Sequence, residues 1–234
     1  MSNKSKSSLN WSLYCVIIPV YNNRKTLPVL IERTLDLYPK LDIIIVDDGS
    51  EKDINGILSD YDNLKLVRHS INQGKGAALK SGIRIAKKEG KKFGIFLDSD
   101  LQHDPVEIQK FLDKRLHTRS DIILGNRKLD DSMPFHRVLS NRITSFLISI
   151  RSGTRVHDSQ CGFRLLNLQI IKPDDFKYNG FQFESEFLLK TLQQNSQISE
   201  VDISTIYNDQ GSNIENMKDT FRFIKMYFES YFWN

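Results

Sequence analysis

Residues 93–105 read FGIFLDSDLQHDP, an apolar run that stops at two carboxylates one residue apart. Phe93, Ile95, Phe96 and Leu97, bounded by polar residues, have the length and character of a buried strand. Asp98 and Asp100 then fall at its carboxyl end, the edge at which open α/β sheets bind ligands. Neighbouring carboxylates repel unless a cation separates them, and an all-oxygen ligand set suits Mg²⁺ or Mn²⁺. Mg²⁺ takes one or two carboxylates together with substrate phosphates. The pattern predicts a divalent-cation site that grips a phosphorylated substrate. A solvated acidic turn would look the same in isolation, so the rest of the chain has to decide.

Outward from that stretch, short apolar runs alternate with helical periodicity. Residues 14–20 (YCVIIPV) predict a first strand, which Pro19 can close because proline does not pair inside a sheet. Thr26 reads as a helix N-cap with Pro28 in the first turn, and Leu27, Leu30, Ile31 and Leu35 carry the spacing to about Tyr38. Residues 42–46 (DIIIV) predict a second strand that also ends in carboxylates, Asp47 and Asp48. A short helix is expected over 54–61, a third strand over 64–68, and a helix entered through NQGKG at 72–76. The quoted stretch is then the fourth strand, Pro105 opens a helix, and 121–124 is a fifth strand. This β-α-β alternation predicts an α/β fold, a single domain with a mostly parallel central sheet flanked by helices. Beyond residue 125 the pattern loosens: an amphipathic helix over 134–150, a strand over 162–166, a helix over 183–192, a strand over 198–203 and an aromatic-rich helix over 216–233.

At 234 residues, 39% hydrophobic and 26% charged, the chain suits one ordinary folded domain and excludes disordered and fibrous classes. A formal charge of +4 permits attraction to phosphates or anionic lipids without requiring nucleic acid, and no nucleic-acid partner is expected. Two cysteines, Cys15 and Cys161, make no disulfide framework and fit a reducing, cytoplasmic setting. No apolar run approaches the ~20 residues of a membrane span. The polar residues 1–12 are expected to form a loose tail ahead of a domain over 13–215. The terminal segment 216–234 mixes Phe221, Phe223, Tyr227, Phe228 and Trp233 with Lys218, Arg222 and Lys225. It either lies in a lipid interface or packs on the domain.

Strands two and four together would line Asp47, Asp48, Asp98 and Asp100 along one edge. Helix capping explains either pair alone, whereas both at one edge suit a nucleotide-plus-metal site. Glycines at 72–76 let backbone N–H groups approach an anion, although the Walker A spacing is absent. Lys75 either meets that anion or is solvated. Arg127, ending strand five, and Arg137 and Arg142 carry guanidinium groups suited to bidentate phosphate contacts. The latter two could equally snorkel from an amphipathic helix.

VIIPVYNN, VDDGS, NQGKGAALKSG, DSDLQHDP, GNR, DSQCGFRLL and FQFESE follow one another between Tyr14 and Ser212. The set resembles the family 2 glycosyltransferases, and within them the polyprenyl-phosphate (dolichol-phosphate) mannosyl- and glucosyltransferases. The resemblance implies a GT-A-like (Rossmann-like) domain and an inverting, metal-dependent transfer of a hexose from a nucleoside-diphosphate sugar of the UDP-glucose or GDP-mannose type. By those motifs Pro19, Tyr21, Asn23, Val46 and Asp48 would line the nucleoside pocket, with Lys75, Asp98, Ser99 and Asp100 completing the donor site. Asp98, Asp100 and Gln102 would hold Mg²⁺ or Mn²⁺. Arg127, Arg137 and Asn141 would meet an acceptor phosphate. Asp158 and Glu184 would stand near the transferred sugar, forming the catalytic group with Asp100 and Arg127. Two departures stand out. Asn23 replaces a frequent Glu, and residues 206–212 (IYNDQGS) lack the arginine that completes the family's acceptor-phosphate clamp.

A polyprenyl-phosphate acceptor brings its own anionic oxygen. A hydroxyl acceptor, as in cell-envelope glycan synthesis, would need Asp158 or Glu184 to take up a proton. Two rivals remain. LDSDL follows the hydrophobic-Asp-x-Asp pattern of dehalogenase-type phosphatases, but those carry it on their first strand, not their fourth. A non-catalytic nucleotide-sugar-binding module would have no use for the intact Asp pair. The implied location is cytoplasmic, or peripheral on the cytoplasmic face of a membrane. The sugar, the base, the acceptor and the oligomeric state stay open.

Overall fold

The computed structural model describes residues 9–58, 61–127, 135–206 and 216–233. Seven strands form one sheet in the order β3-β2-β1-β4-β6-β5-β7. They are β1 (Tyr14–Val20), β2 (Asp42–Asp47), β3 (Leu64–Arg68), β4 (Phe93–Phe96), β5 (Ile122–Arg127), β6 (Arg164–Asn167) and β7 (Ile198–Ile203). All pairings are parallel except those of β6, which runs antiparallel to both β4 and β5. The helices are α1 (Leu27–Leu37), α2 (Lys75–Lys88), α3 (Ile108–Thr118), α4 (Phe135–Ser152), α5 (Gln182–Gln193) and α6 (Asn216–Glu229).

Side chains on a strand alternate between faces, and both faces of this sheet are covered. Cys15 and Ile17 of β1, with Ile44 and Val46 of β2, pack with Ala78, Ile83 and Ala86 of α2 and Phe187 and Leu188 of α5. Val16, Ile18, Ile43 and Ile45 point the other way, against Leu27, Leu30 and Ile31 of α1 and Phe111 and Leu112 of α3. Helix α2 lies so close to the sheet that a Cβ on Gly82 would stand 2.5 Å from Ile17 Cγ2.

Several local expectations change. Pro19 does not close β1 but sits inside it, opposite Val46. Its missing N–H faces the β4 side, where pairing has already ended at Ile17 opposite Phe96, so no ladder bond is lost. Of the helix expected over 54–61, the described residues hold only a 3-10 turn, Asn55–Ile57, and positions 59 and 60 lie outside them. Asp53 takes the Asn55 N–H at 3.0 Å, a local alternative to helical bonding. Thr26 makes no capping bond; its hydroxyl instead donates to Ser99 O at 2.5 Å. The strand expected over 162–166 starts later, at Arg164, and β5 runs on to Arg127 because β7 pairs with it that far.

The tail expectation for 1–12 is too long. Asn10 caps a 3-10 turn at Trp11–Leu13, and Trp11 lies 6.1 Å from the Tyr38 ring. At the other end α6 stops at Glu229 and gives way to a 3-10 turn, Ser230–Phe232. It packs on the domain through buried Met226 and Tyr227. Among the described residues no helix is long and apolar enough to cross a membrane.

Candidate active site

Because β1, β2, β4 and β5 run the same way, their carboxyl ends share one edge of the sheet, and antiparallel β6 begins there. The topology therefore brings Pro19, Asp48, the 98–100 turn, Arg127 and the 158–164 segment to a common rim. Arg164 shows how: it lies opposite Phe96 on one side and Leu124 on the other.

Asp98 and Asp100 do not stand bare. Lys75, the first residue of α2, reaches Asp98 Oδ1 at 2.7 Å and Glu184 Oε1 at 3.5 Å. Arg164, buried, approaches the same Glu184 oxygen at 3.5 Å and donates to the carbonyls of Cys161 and Ser159. The charges alternate: Asp98, Lys75, Glu184, Arg164. Gly162 forms the floor, since a Cβ there would sit 2.2 Å from Asp98 Oδ2. Asp100 Oδ1 accepts from Gln102 N at 3.0 Å across Leu101, whose φ of 59° is left-handed and uncommon for a leucine.

Burial would raise the Asp98 pKa, but the Lys75 charge and hydrogen bond, helped by Arg164, hold it below the ordinary aspartate value. Burial, then repulsion from Asp98, pushes the Asp100 pKa up. Burial works against the Lys75 ammonium, yet Asp98 and Glu184 outweigh it and raise its pKa. Asp98 is thus the settled anion, and Asp100 the group that resists ionising beside it.

Asp48, which the motifs assign to a nucleoside pocket, is 3% exposed and heavily used. Its Oδ1 meets His69 Nδ1 at 2.7 Å and accepts from Gln73 N at 3.0 Å, while Oδ2 accepts from Gly74 N at 2.7 Å. His69 Nε2 lies 2.9 Å from Ser81 Oγ, which anchors the ring on α2. Asp48 therefore holds the 72–76 loop, and a nucleoside N–H would have to use a remaining lone pair. Asn23 ties the β1 exit to the acidic turn, donating to Ser99 O at 2.8 Å and Ser99 Oγ at 3.1 Å. Tyr21 is 40% exposed at the rim, whereas Val46 is fully buried between Pro19 and Val67 in the sheet and presents no accessible atom.

Arg127 and Asp158 form a buried bidentate pair, Nε to Oδ2 at 2.7 Å and Nη2 to Oδ1 at 3.0 Å. Asn141 of α4, also buried, donates to Asp158 Oδ1 at 2.9 Å. Burial would raise the Asp158 pKa; the Arg127 hydrogen bonds and charge, with Asn141, hold it below the ordinary range. Arg137 is half-buried on α4, whereas Arg142 is exposed and turned away from Asn141's buried face. The clamp segment expected at 206–212 lies outside the described residues beyond Ile206.

Beside Lys75 lies an open cavity of about 350 Å³ lined by Gly74, Lys75, Gly180, Phe181, Lys218, Asp219 and Arg222. The first turns of α6 therefore wall that cavity. His103 lies beneath the rim, its ring 5.5 Å from Phe163 and its Nδ1 without a hydrogen-bond partner. Burial lowers its pKa to about 4, so the ring is neutral at pH 7. Sequence reasoning missed Arg164, His69 and His103. For Arg164 a signal existed: one cation inside the apolar run FRLL implies a buried partner.

The rim residues fit a hard divalent cation. Asp98 and Asp100 supply two carboxylates, and a cation between them would relieve the strain that raises Asp100. Among the described residues no cluster of three or more His, Cys, Asp or Glu suits a metal, and a cation shared with substrate phosphates requires none.

The family model for glycosyl transferase family 2 matches residues 15–173. The chain belongs to glycosyl transferase family 2. This family 2 glycosyltransferase is similar to the polyprenol monophosphomannose synthase of Mycolicibacterium smegmatis, at 24% identity over 84% of this chain and 78% of that protein. It is also similar to the UDP-N-acetylglucosamine–dolichyl-phosphate N-acetylglucosaminyltransferase of Methanococcus voltae, at 27% identity over 86% of this chain and 90% of that one. The crystal structure of glucosyl-3-phosphoglycerate synthase from Mycobacterium tuberculosis, in complex with Mn²⁺, UDP and phosphoglyceric acid, matches with a TM-score of 0.70 and 15% identity over 93% of this chain and 76% of that one. The architecture is accordingly the GT-A fold that the motifs implied.

Proposed function

We propose that this glycosyltransferase moves a hexose, with inversion, from a nucleoside-diphosphate sugar of the UDP-glucose or GDP-mannose type to a polyprenyl phosphate at the cytoplasmic face of a membrane. The names of its relatives support a lipid-phosphate acceptor. The observation that carries the reading is the state of the carboxylates. Asp158 is locked to Arg127 and Asn141 with its pKa held down, and Glu184 is shared between Lys75 and Arg164. Neither is free to act as the general base a hydroxyl acceptor would require. A phosphate oxygen is already anionic and needs none.

Asp98, Asp100 and Gln102 would hold Mg²⁺ or Mn²⁺, which supplies charge neutralisation for a diphosphate leaving group. Lys75 stands between that pair and the cavity, within reach of a diphosphate once it leaves Asp98. The N–H groups of the 73–74 loop, fixed by Asp48, set the donor's other boundary. Arg127, oriented by Asp158, presents a cation to the acceptor side of the rim, with Arg137 behind it on α4.

The test is a donor screen by thermal shift with Mg²⁺ or Mn²⁺, followed by transfer assays on a short prenyl phosphate and on the matching prenyl alcohol. Transfer to the phosphate alone is expected, and Asp100→Ala or excess chelator should abolish it. Full activity in chelator refutes the metal role, and equal use of the alcohol refutes the acceptor assignment.

A further inference from the structure

We infer that Lys75 makes the divalent cation and the donor bind as a pair: it competes with the cation for Asp98 and yields when the donor's diphosphate takes its charge. The inference rests on the cation and donor proposed above and adds what couples them.

The competition follows from the oxygens. A Cβ on Gly162 would stand 2.2 Å from Asp98 Oδ2, so that oxygen is walled in by the 158–164 segment. The other, Oδ1, carries the Lys75 ammonium at 2.7 Å. A cation shared by Asp98 and Asp100 has to take the oxygen that Lys75 holds, and like charges at that range repel strongly.

Lys75 cannot retreat with its helix. Gly74 N donates to Asp48 Oδ2 at 2.7 Å. A Cβ on Gly74 would stand 2.6 Å from Asn179 O, and one on Gly76 would stand 2.5 Å from Phe183 Cβ, so the start of α2 is packed hard against the entry to α5. Only the flexible four-carbon stem can move the charge. Glu184 is the near alternative at 3.5 Å, but Arg164 approaches the same oxygen at 3.5 Å. An ammonium brought fully onto Glu184 would crowd a second cation.

The remaining direction is the cavity that Lys75 lines with Lys218 and Arg222. Among the described residues lining it, the carboxylate is Asp219, which already pairs with Arg222 at 3.2 Å. A diphosphate there gives the ammonium a partner of its own. The charge balance points the same way. Three carboxylates, Asp98, Asp100 and Glu184, face two cations, Lys75 and Arg164. A dication added alone reverses that balance, and a diphosphate added with it restores it. Such coupling is reciprocal, each ligand tightening the other by the same factor.

The experiment measures Mn²⁺ binding to the full chain by loss of the free-ion electron paramagnetic resonance signal, alone and with UDP or GDP, corrected for the complex Mn²⁺ forms with free nucleotide. On the wild type one of the two nucleotides should tighten Mn²⁺ by roughly 5- to 150-fold. Lys75→Met should bind Mn²⁺ alone at least about tenfold tighter than wild type, and the nucleotide's effect should shrink by a similar factor. Lys75→Arg should keep the wild-type coupling. A merely structural role for Lys75 predicts the opposite sign, weaker Mn²⁺ binding in the methionine variant. Lys75→Gln is the second variant should Lys75→Met fold poorly, as judged by its melting temperature. If a nucleotide tightens Mn²⁺ equally on wild type and variant, and the variant binds Mn²⁺ alone no tighter, the inference falls and the proposed donor stands. If the variant binds Mn²⁺ tighter but neither nucleotide affects the wild type, the proposed donor falls and takes the pairing with it. Wild type that binds Mn²⁺ neither alone nor with a nucleotide overturns both.

Discussion

Replacing Arg127 by methionine keeps most of the side chain's bulk and removes its charge from Asp158, which is only 1% exposed. Truncating one partner of a buried ion pair costs about 3–5 kcal/mol, chiefly because the other charge is stranded. At roughly 2–4 °C per kcal/mol for a domain of this size, Tm should fall by about 6–20 °C near neutral pH. The pH dependence has a definite sign. In the native protein the Asp158 pKa lies below its unfolded value, so its stabilisation is complete above the ordinary aspartate pKa and is lost as pH falls through the lowered native value. In the variant the Arg127 charge and side-chain hydrogen bonds no longer oppose burial, and only the Asn141 amide and nearby backbone N–H groups still do, so the Asp158 pKa rises, it takes up a proton at higher pH and the gap between the two proteins narrows as pH falls. Thermal unfolding of wild type, Arg127→Met, Asp158→Asn and the double variant across acidic to neutral pH measures this. The double variant should recover much of the loss, with an interaction energy of about 1–3 kcal/mol. Strictly additive effects, or an Arg127→Met melting temperature that matches wild type, would refute the reasoning.

Gly162→Ala should fold with near-native stability, because the atom it meets at 2.2 Å is the mobile end of Asp98 rather than backbone. The displaced carboxylate should lower turnover by roughly a hundredfold; unchanged steady-state kinetics would show that Asp98 is not held there for catalysis. Burial pushes the Cys15 and Cys161 thiols up to about 12, so a thiol reagent near neutral pH should label neither in the native protein and both after denaturation. Rapid labelling of either one in the native state would contradict the burial.

The strands that carry the acidic turns were legible because each is a short apolar run closed by polar residues, and strand alternation is a local property. DIIIV and FGIFL announce β2 and β4 without reference to anything distant. What the pattern could not supply is the partner of each side chain. Lys75 and Asp98 are 23 residues apart by their numbering, and nothing in GKG or DSD says that they meet at 2.7 Å. Strand β6 was read nearly in place, yet its antiparallel course between β4 and β5 is a fact of topology that a four-residue run cannot express. Asp48 was singled out for a ligand, whereas the fold first spends its oxygens on the 73–74 loop. The 54–61 helix failed for the opposite reason: a local Asp53 bond outcompeted the weak apolar spacing that suggested it.

The reversal of β6 also bears on how this enzyme could be rebuilt. Residues 158–164 touch the rim three times, through Asp158 on Arg127, through Gly162 against Asp98 and through Arg164 beside Glu184. A chimera that exchanges the segment between β5 and Asp158 alters one half of the cleft and leaves the other untouched. A graft cut anywhere inside 158–164 shifts both halves at once. The seven residues are a seam, and recombination with relatives should be planned around it.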